Sequence, residues 1–259
     1  MIELLTGFSG LAQDALAVGF VVFLRVGAAM SVMPAFGEQS VPARIRLGLT
    51  VAFTLIVAPA VSTQTIQLAT SPVIWPMILA TETIVGLVIG IGFRLFVFAL
   101  QIAGSIAAQS TSLSQIFGAA GVDPLPAIGH LLVIAGLAIA VTLGFHVQIA
   151  GFIIRSYDLF PAGQFVDPSA LSEWGIWQIA KAFGLAFTLA APFVISSLIY
   201  NIALGVINRA MPQLMVAFVG APAITAGGLI LLFLTAPLML ALWQLALQDF
   251  VLDPFGSRQ

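Results

Sequence analysis

The sequence contains no cysteine, only two histidines and very few charged residues. Charged side chains make up 7% of its 259 residues and hydrophobic ones 61%, whereas soluble domains carry roughly 25% charged residues. The absence of cysteine excludes disulfides and thiol chemistry. The net charge of −2, with eight scattered basic residues, gives no indication of nucleic-acid binding. This composition predicts an all-α membrane-associated protein.

Five stretches without a charged residue are each longer than the roughly 20 residues that cross a bilayer core. We expect one all-helical domain over residues 1–259, with about six apolar helical regions, some of them kinked or broken. The counts of Lys and Arg in the loops on the two sides of such a bundle are too similar to orient it. The uncharged stretches are 47–81, 95–122, 124–154, 182–208 and 210–248.

Apolar runs and turn residues predict where the helices lie. The second helix is expected to end near Pro59, and residues 155–173 are expected to form a polar loop. The last region, 211–252, contains Pro222 and Pro237 and is predicted to be two segments or one bent helix. The other predicted helices cover 11–33, 44–61, 75–108, 130–154 and 181–209.

Residues able to carry out catalysis are nearly absent. His130 and His146 are too far apart for the usual metal-ligand spacings. The sequence has no Gly-x-Ser-x-Gly elbow and no phosphate-binding glycine-rich loop with a lysine. We therefore predict no enzymatic activity, no metal and no cofactor.

A few ionised residues fall within or beside the apolar runs, where they are costly and rarely face lipid. Arg25, Glu82, Arg94 and Lys181 are of this kind. They indicate either an ion or proton pathway or pairing between helices or subunits, for instance Glu82 with an arginine of another helix. Glu82 and Arg94 lie about 18 Å apart on one helix, so they cannot pair with each other. Pairing is favoured, because a proton relay needs several acids and only Glu82 is central.

The longest polar segment covers residues 107–126, and its only charge is Asp123. Its Ser, Thr, Gln and Gly residues fit either a short uncharged surface loop or an element that lines a narrow passage. Near the other end of the chain, Asn201 and Asn208 share one helix face. In apolar surroundings such a polar stripe needs partners.

Four groups of residues occur in an order that spans nearly the whole chain. They are Pro34-x-Phe36-Gly37 with Pro42; Gln101-x-x-Gly104 with Gln109 and Asp123-Pro124; Gly144-x-His146 with Ser156 and Pro161-x-Gly163; and Asn201-x-x-Leu-Gly205 followed by Arg209-x-Met-Pro212-Gln213-Leu214 and Gly220-x-Pro222. This ordered set resembles the flagellar biosynthesis R family (FliR), which includes the T-type export-gate proteins of virulence type III secretion.

The resemblance implies a core subunit of the flagellar type III protein export gate, in the bacterial inner membrane at the flagellar basal body. With FliP and FliQ it would form the pore through which unfolded flagellar proteins are exported, beside FlhB. Its helices would form hairpins in a larger hetero-oligomeric assembly, much of it at or above the membrane plane. The family turn motifs correspond to Pro34, Phe36, Gly37, Pro42, Pro212, Gly220 and Pro222.

The resemblance also assigns the segment around residues 109–121 the role of a pore plug. A neutral plug packs in an apolar constriction without stranding charge, and little regular structure is expected there. Ile116 and Phe117 can fill space, while Gly118 and Gly121 allow movement. The predicted plug residues are Gln109, Ser110, Thr111, Ser112, Leu113, Ser114, Gln115, Ile116, Phe117, Gly118 and Gly121.

Within such a gate, the buried polar residues are expected to be satisfied between helices or between subunits. The isolated chain is then expected to be poorly stable, because its buried charges would lack mates. The alternative function is a secondary transporter or small-molecule permease that uses Glu82 and Arg94 as intramembrane charges. The predicted contact residues are Arg25, Glu82, Arg94, Asn201, Asn208, Arg209 and Gln213.

Overall fold

The computed structural model describes residues 2–38, 41–69, 75–111, 127–211 and 216–254. Helices cover nearly all of these residues, and no strand occurs among them. Five helices are long and apolar enough to cross a membrane, and α4 with α5 supply a sixth if the pair forms one span. The predicted all-α membrane class is therefore confirmed. The helices are α1 (Ile2–Val32), α2 (Ala43–Ala69), α3 (Trp75–Thr111), α4 (Ala127–Thr142), α5 (Phe145–Leu159), α6 (Pro168–Ala210) and α7 (Val216–Leu252).

The predicted end of the second helix near Pro59 is wrong, because α2 continues through this proline to Ala69. Pro59 has no N–H, so the helix loses the backbone hydrogen bond to the Leu55 carbonyl and keeps the others. Here the Ser62 hydroxyl donates to the Pro59 carbonyl at 2.9 Å, and the Thr65 hydroxyl donates to the Val61 carbonyl at 3.0 Å. The Ser/Thr residues that suggested a loop therefore belong to the helix.

The fourth predicted run is also wrong as a single helix. It is divided into α4 and α5 at Leu143 and Gly144. Gly144 has a φ of 80°, a left-handed conformation that interrupts a right-handed helix and that glycine adopts without steric cost.

The predicted polar loop over 155–173 is shorter than expected, since α5 runs to Leu159 and α6 begins at Pro168. Asp167 caps α6: its carboxylate accepts hydrogen bonds from the Ser169 hydroxyl at 2.7 Å and from the Ser169 and Ala170 amides. These bonds, the one from the Ser169 hydroxyl above all, hold the pKa of the Asp167 carboxyl below its usual value. An aspartate at the N-cap followed by proline at the first helical position is a common helix start.

The last region is one helix rather than two segments, because α7 includes Pro222 and Pro237. In an apolar medium a helix satisfies nearly all of the backbone N–H and C=O groups of a segment internally. Two prolines remove two of these bonds and leave the rest of the helix intact.

The chain packs as two compact units. Unit 1 consists of Met1–Leu95, Val141–Gln178 and Asp253–Gln259, and unit 2 of Phe96–Ala140 and Ile179–Leu252. In unit 1, Phe93 packs edge to face on Phe145 and Phe152, with ring centroids 5.6 and 5.1 Å apart. In unit 2, the buried Trp243 donates its indole N–H to the Phe96 carbonyl at 2.8 Å.

Unit 1 also ties its last described residues to the first turns of α6. The Trp174 indole and the Gln178 amide both donate to the carbonyl of Pro254, each at 2.9 Å. This one acceptor therefore fixes the chain just beyond the end of α7.

A close helix crossing in unit 2 brings Gly104 of α3 against Gly129 of α4. A Cβ on Gly104 would collide with the Gly129 backbone, so no side chain larger than hydrogen fits. Close approach of this kind is how small residues pack helices where lipid supplies no hydrophobic driving force.

We predict that Gly104→Ala destabilises the protein by about 1–3 kcal/mol, the usual cost of overpacking a tight contact. The matched control is Gly151→Ala on α5, where a Cβ would have no atom within 4 Å. That change is expected to be neutral or to stabilise by up to about 1 kcal/mol, because alanine favours helix more than glycine does. Thermal unfolding midpoints in the same detergent compare the two, and equal midpoints would contradict the crossing.

Candidate functional site

A buried ion pair joins α1 to α3 in unit 1. Arg25 Nε donates to Glu82 Oε2 at 2.8 Å, and Arg25 Nη2 donates to Glu82 Oε1 at 3.1 Å. Neither side chain has any exposed surface. Two parallel N–H···O bonds of this kind form the bidentate geometry that arginine and carboxylate adopt in their strongest pairs.

The rest of the guanidinium is bonded by α5 and by the residue that follows it. Arg25 Nη1 donates to Ser156 Oγ at 3.0 Å, and Nη2 also donates to the Phe160 carbonyl at 2.9 Å. The guanidinium carbon lies 3.6 Å from the centre of the Tyr157 ring, within cation–π range. Arg25 therefore holds α1 against both α3 and α5.

Glu82 has a further donor in the loop between α5 and α6. The Gly163 amide donates to Glu82 Oε1 at 3.2 Å, so both carboxylate oxygens accept hydrogen bonds. Buried charges persist when they are paired and when their remaining hydrogen-bonding positions are filled. Arg25 and Glu82 lie on different helices of one chain, as the alternative of pairing between helices predicted. The expectation that these two charges lack mates in the isolated chain is wrong.

Two glycines of α3, Gly86 and Gly90, lie beside this pair. A Cβ on Gly86 would collide with the Arg25 carbonyl, and one on Gly90 would lie 2.6 Å from the Ala29 carbonyl oxygen. The backbone of α3 therefore touches that of α1 one turn beyond Glu82. This contact brings the two charged side chains within hydrogen-bonding distance.

A second ion pair fastens the connection between α1 and α2. Arg94 Nη1 donates to Glu38 Oε1 at 3.1 Å and to the Val32 carbonyl at 3.4 Å. Arg46 Nη2 donates to the Glu38 carbonyl at 3.0 Å. Arg94 and Glu38 are partly exposed, so this pair contributes less to stability than a desolvated one.

The turn in this connection contains the first group of family residues. Pro34 is buried, and Phe36 packs edge to face on Phe53 with centroids 5.9 Å apart. The Gly37 amide donates to the Met33 carbonyl at 2.7 Å, and a Cβ on Gly37 would lie 2.6 Å from the Ser31 carbonyl oxygen. Pro42 comes just before the first residue of α2.

Only the start of the predicted plug falls within the described residues. Gln109, Ser110 and Thr111 are the last residues of α3, so the expectation of little regular structure is wrong for them. The Ser110 hydroxyl donates to the Ala107 carbonyl at 2.8 Å, which satisfies it inside the helix. The other plug residues lie outside the described part of the chain: Ser112, Leu113, Ser114, Gln115, Ile116, Phe117, Gly118 and Gly121.

The predicted polar contacts near the end of α6 are exposed in this chain. Asn201, Asn208 and Arg209 all lie on its surface, while Pro212 and Gln213 fall outside the described residues. The expected turn at Gly220 and Pro222 is wrong, because both residues belong to α7.

Gly220 instead marks a contact between α6 and α7 in unit 2. The Tyr200 hydroxyl donates to the Gly220 carbonyl. A Cβ on Gly220 would crowd both this hydroxyl and the Leu204 side chain. Glycine at this position therefore serves helix packing.

The sequence did not indicate which groups bond the predicted charges. They are Ser156, Tyr157 and Gly163 around Arg25 and Glu82, and Glu38 beside Arg94. The sequence did indicate that further partners exist, because a buried carboxylate and a buried guanidinium have more hydrogen-bonding positions than a single ion pair fills. Which serine or amide supplies them depends on the fold.

Within the described ranges no three His, Cys, Asp or Glu residues are grouped as a metal site. His130 and His146 are both exposed. The groups bonded to Arg25 join α1 to α3 and α5, and we interpret them as a structural centre.

We predict that Arg25→Met costs about 3–5 kcal/mol of stability, because it leaves the Glu82 carboxylate buried without a counterion. The double variant Arg25→Met/Glu82→Leu is expected to recover most of this loss, since it removes both charges. Thermal unfolding in detergent measures both. Tyr157→Phe keeps the ring over the guanidinium and serves as the control, with a change of at most about 1 kcal/mol. A double variant no more stable than the single one would contradict the prediction.

Comparison with known proteins identifies the family. The family model described as bacterial export proteins, family 1, matches residues 16–250. The chain is 32% identical to the flagellar biosynthetic protein FliR of Caulobacter vibrioides over 228 residues, which cover 87% of this chain and 91% of the relative. It is 30% identical to FliR of Bacillus subtilis over 220 residues, covering 82% and 83%. It is 27% identical to FliR of Escherichia coli over 225 residues, covering 83% of each.

These matches extend over most of the chain and confirm the resemblance found in the sequence motifs. The family is described by export rather than by catalysis, which agrees with the prediction of a non-enzymatic protein. The chain belongs to the bacterial export proteins, family 1.

Proposed function

We propose that this chain is a core subunit of the flagellar type III protein export gate. In this proposal it assembles with FliP and FliQ in the bacterial inner membrane, at the flagellar basal body and beside FlhB. Together they form the pore for unfolded flagellar proteins, and the segment around residues 109–121 plugs it. Family membership and the printed names of the relatives support the flagellar part of the proposal.

The observation that carries the assembly part is the apolar length of α6. Exposed apolar residues extend from Ile179 to Ile207, about 42 Å along the helix axis. A bilayer core is about 30 Å thick, and even a helix tilted by 40° crosses it within about 39 Å. This surface, which also contains Lys181 and Asn201, is thus longer than a hydrocarbon core. Its length supports a subunit that is partly covered by other protein.

The placement of the plug is supported by the helices on either side of it. The crossing of Gly104 and Gly129 lies about 10 Å before Thr111 and about 3 Å after Ala127. The two helix ends that residues 112–126 connect, Thr111 and Ala127, therefore both lie near a single fixed contact. A segment of this length anchored at both ends suits a plug.

The geometry of Glu82 argues against the alternative, a secondary transporter or permease. A proton carrier must exchange its proton with neighbouring carriers or with water. Both oxygens of Glu82 accept hydrogen bonds, and the side chain is fully buried against Arg25. Arg94, the other charge of that hypothesis, bonds Glu38 and the end of α1.

We predict that deletion of residues 112–120 makes cells permeable to small ions while the gate still assembles. The reason is that the deletion removes the material that fills the pore and leaves α3 and α4 in place. Ion conductance of the membrane and co-purification of FliP and FliQ are the two measurements.

A length-matched control replaces Leu113, Ile116 and Phe117 by serine. It keeps the chain length but removes the apolar side chains, and an intermediate leak is expected. If the gate without residues 112–120 assembles and the ion conductance of the membrane does not rise, the segment is only a surface loop.

The variant Glu82→Gln distinguishes the proposed gate function from the alternative permease function. It keeps the shape of the side chain but removes the charge that balances Arg25, so we predict reduced amounts of assembled gate and normal export per assembled gate. Gate amount is measured by co-purification with FliP, and export by secreted flagellar protein. Normal assembly with export lost altogether would favour proton coupling through Glu82.

A further inference from the structure

We infer that the face of α6 carrying Asn201, Gly205 and Asn208 is the docking surface for an apolar helix of a sister subunit. That helix would present amide or hydroxyl side chains about two turns apart. The inference rests on the proposed gate function and adds to it a surface and the chemistry of the partner.

Two amide side chains on this face have no hydrogen-bond partner within the described part of the chain. Asn201 and Asn208 are exposed, and neither amide bonds another residue in the described part of the structure. Their neighbours Leu198 and Ile202 are apolar and each 60% exposed. An amide left in hydrocarbon without a hydrogen bond is costly. The stripe is therefore suited to protein rather than to lipid tails.

Gly205 lies between the two asparagines. It is exposed, and a Cβ built on it would meet no atom within 4 Å. A bare glycine lets a second helix backbone come close, which shortens the distance between polar groups on the two helices.

The spacing of the face indicates that the occupant is a helix. Val194, Leu198, Asn201, Gly205 and Asn208 are exposed and follow one another at alternating intervals of four and three residues. This is the 3.5-residue repeat along which two helices stay in contact, and a polar residue in such a seam sets the register. An irregular segment or an acyl chain would not match regularly spaced amides.

Charge favours a different chain over a second copy of this one. Arg209 is exposed directly after Asn208, and residues 182–248 contain no acidic residue. Two parallel copies would bring two arginines to the same end of the interface with no carboxylate between residues 182 and 248 to offset them. A sister helix with an acidic or neutral end avoids this repulsion.

The first test places a photoreactive amino acid at 198, 201, 205 or 208 in cells that make the complete export apparatus. Positions 199 and 203, exposed on the opposite side of α6, are the matched controls. We expect the first set to cross-link to one helix of FliP or FliQ at amide- or hydroxyl-bearing positions, identified by mass spectrometry. The control set should not reach that helix.

The second test compares Asn201→Leu/Asn208→Leu with Asn201→Gln/Asn208→Gln. Loss of two interhelical hydrogen bonds is expected to lower recovery of the sister subunit about 10- to 30-fold under limiting detergent conditions. The glutamine variant keeps the amides and should recover most of it. Leucine and glutamine variants that assemble equally well would overturn the inference.

Other outcomes are equally decisive. Cross-links from the stripe to a second copy of this chain, to lipid alone, or to the same partner as the controls would overturn the inference. If the unsubstituted chain co-purifies with FliP and FliQ in those cases, the proposed function stands without it. If the unsubstituted chain does not co-purify with them, the proposed function itself fails.

Discussion

Polar groups in this protein have to find their partners in an apolar medium, and this constraint shapes most of its structure. Lipid offers no hydrogen bonds, so an unpaired polar group costs more than it would in water. Threonine hydroxyls on α2 and α3 bond carbonyls of their own helices, as Thr54 and Thr81 do. Arg25 and Glu82 go further, because each takes several partners from separate elements of unit 1.

The Arg25 centre shows how such a constraint gives specificity more than stability. Removing two charges from water is costly, and the bonds they regain do little more than offset that cost. Because both side chains are fully buried, misplacing any bonded element of unit 1 would strand a charge. The close contact of Gly86 with α1 then fixes the position of α3 along the axis of α1. We interpret the centre as the feature that selects one arrangement of α1, α3 and α5.

Structural features that depend on neighbouring residues in the sequence could be predicted, whereas features that depend on tertiary contacts could not. Helix existence followed from long apolar runs, and α3 was predicted to within a few residues of its end. The ends of helices were harder to predict. Pro59 suggested a helix end, but α2 continues through it, whereas Gly144 interrupts an apolar run that looked like one continuous helix. The charged residues of the site were found because charge is conspicuous in an apolar sequence. Their partners Ser156 and Gly163 were missed, because a serine and a backbone amide acquire that role only from the fold.

Unit 1 is discontinuous in the sequence, and this has a consequence for the order of biosynthesis. The Pro254 carbonyl accepts the hydrogen bonds of Trp174 and Gln178, yet it follows the whole of α7. While the ribosome still holds residue 254, those two donors have no such acceptor. The two hydrogen bonds to Pro254, which join the separate parts of unit 1, can therefore form only after α7 has been synthesised.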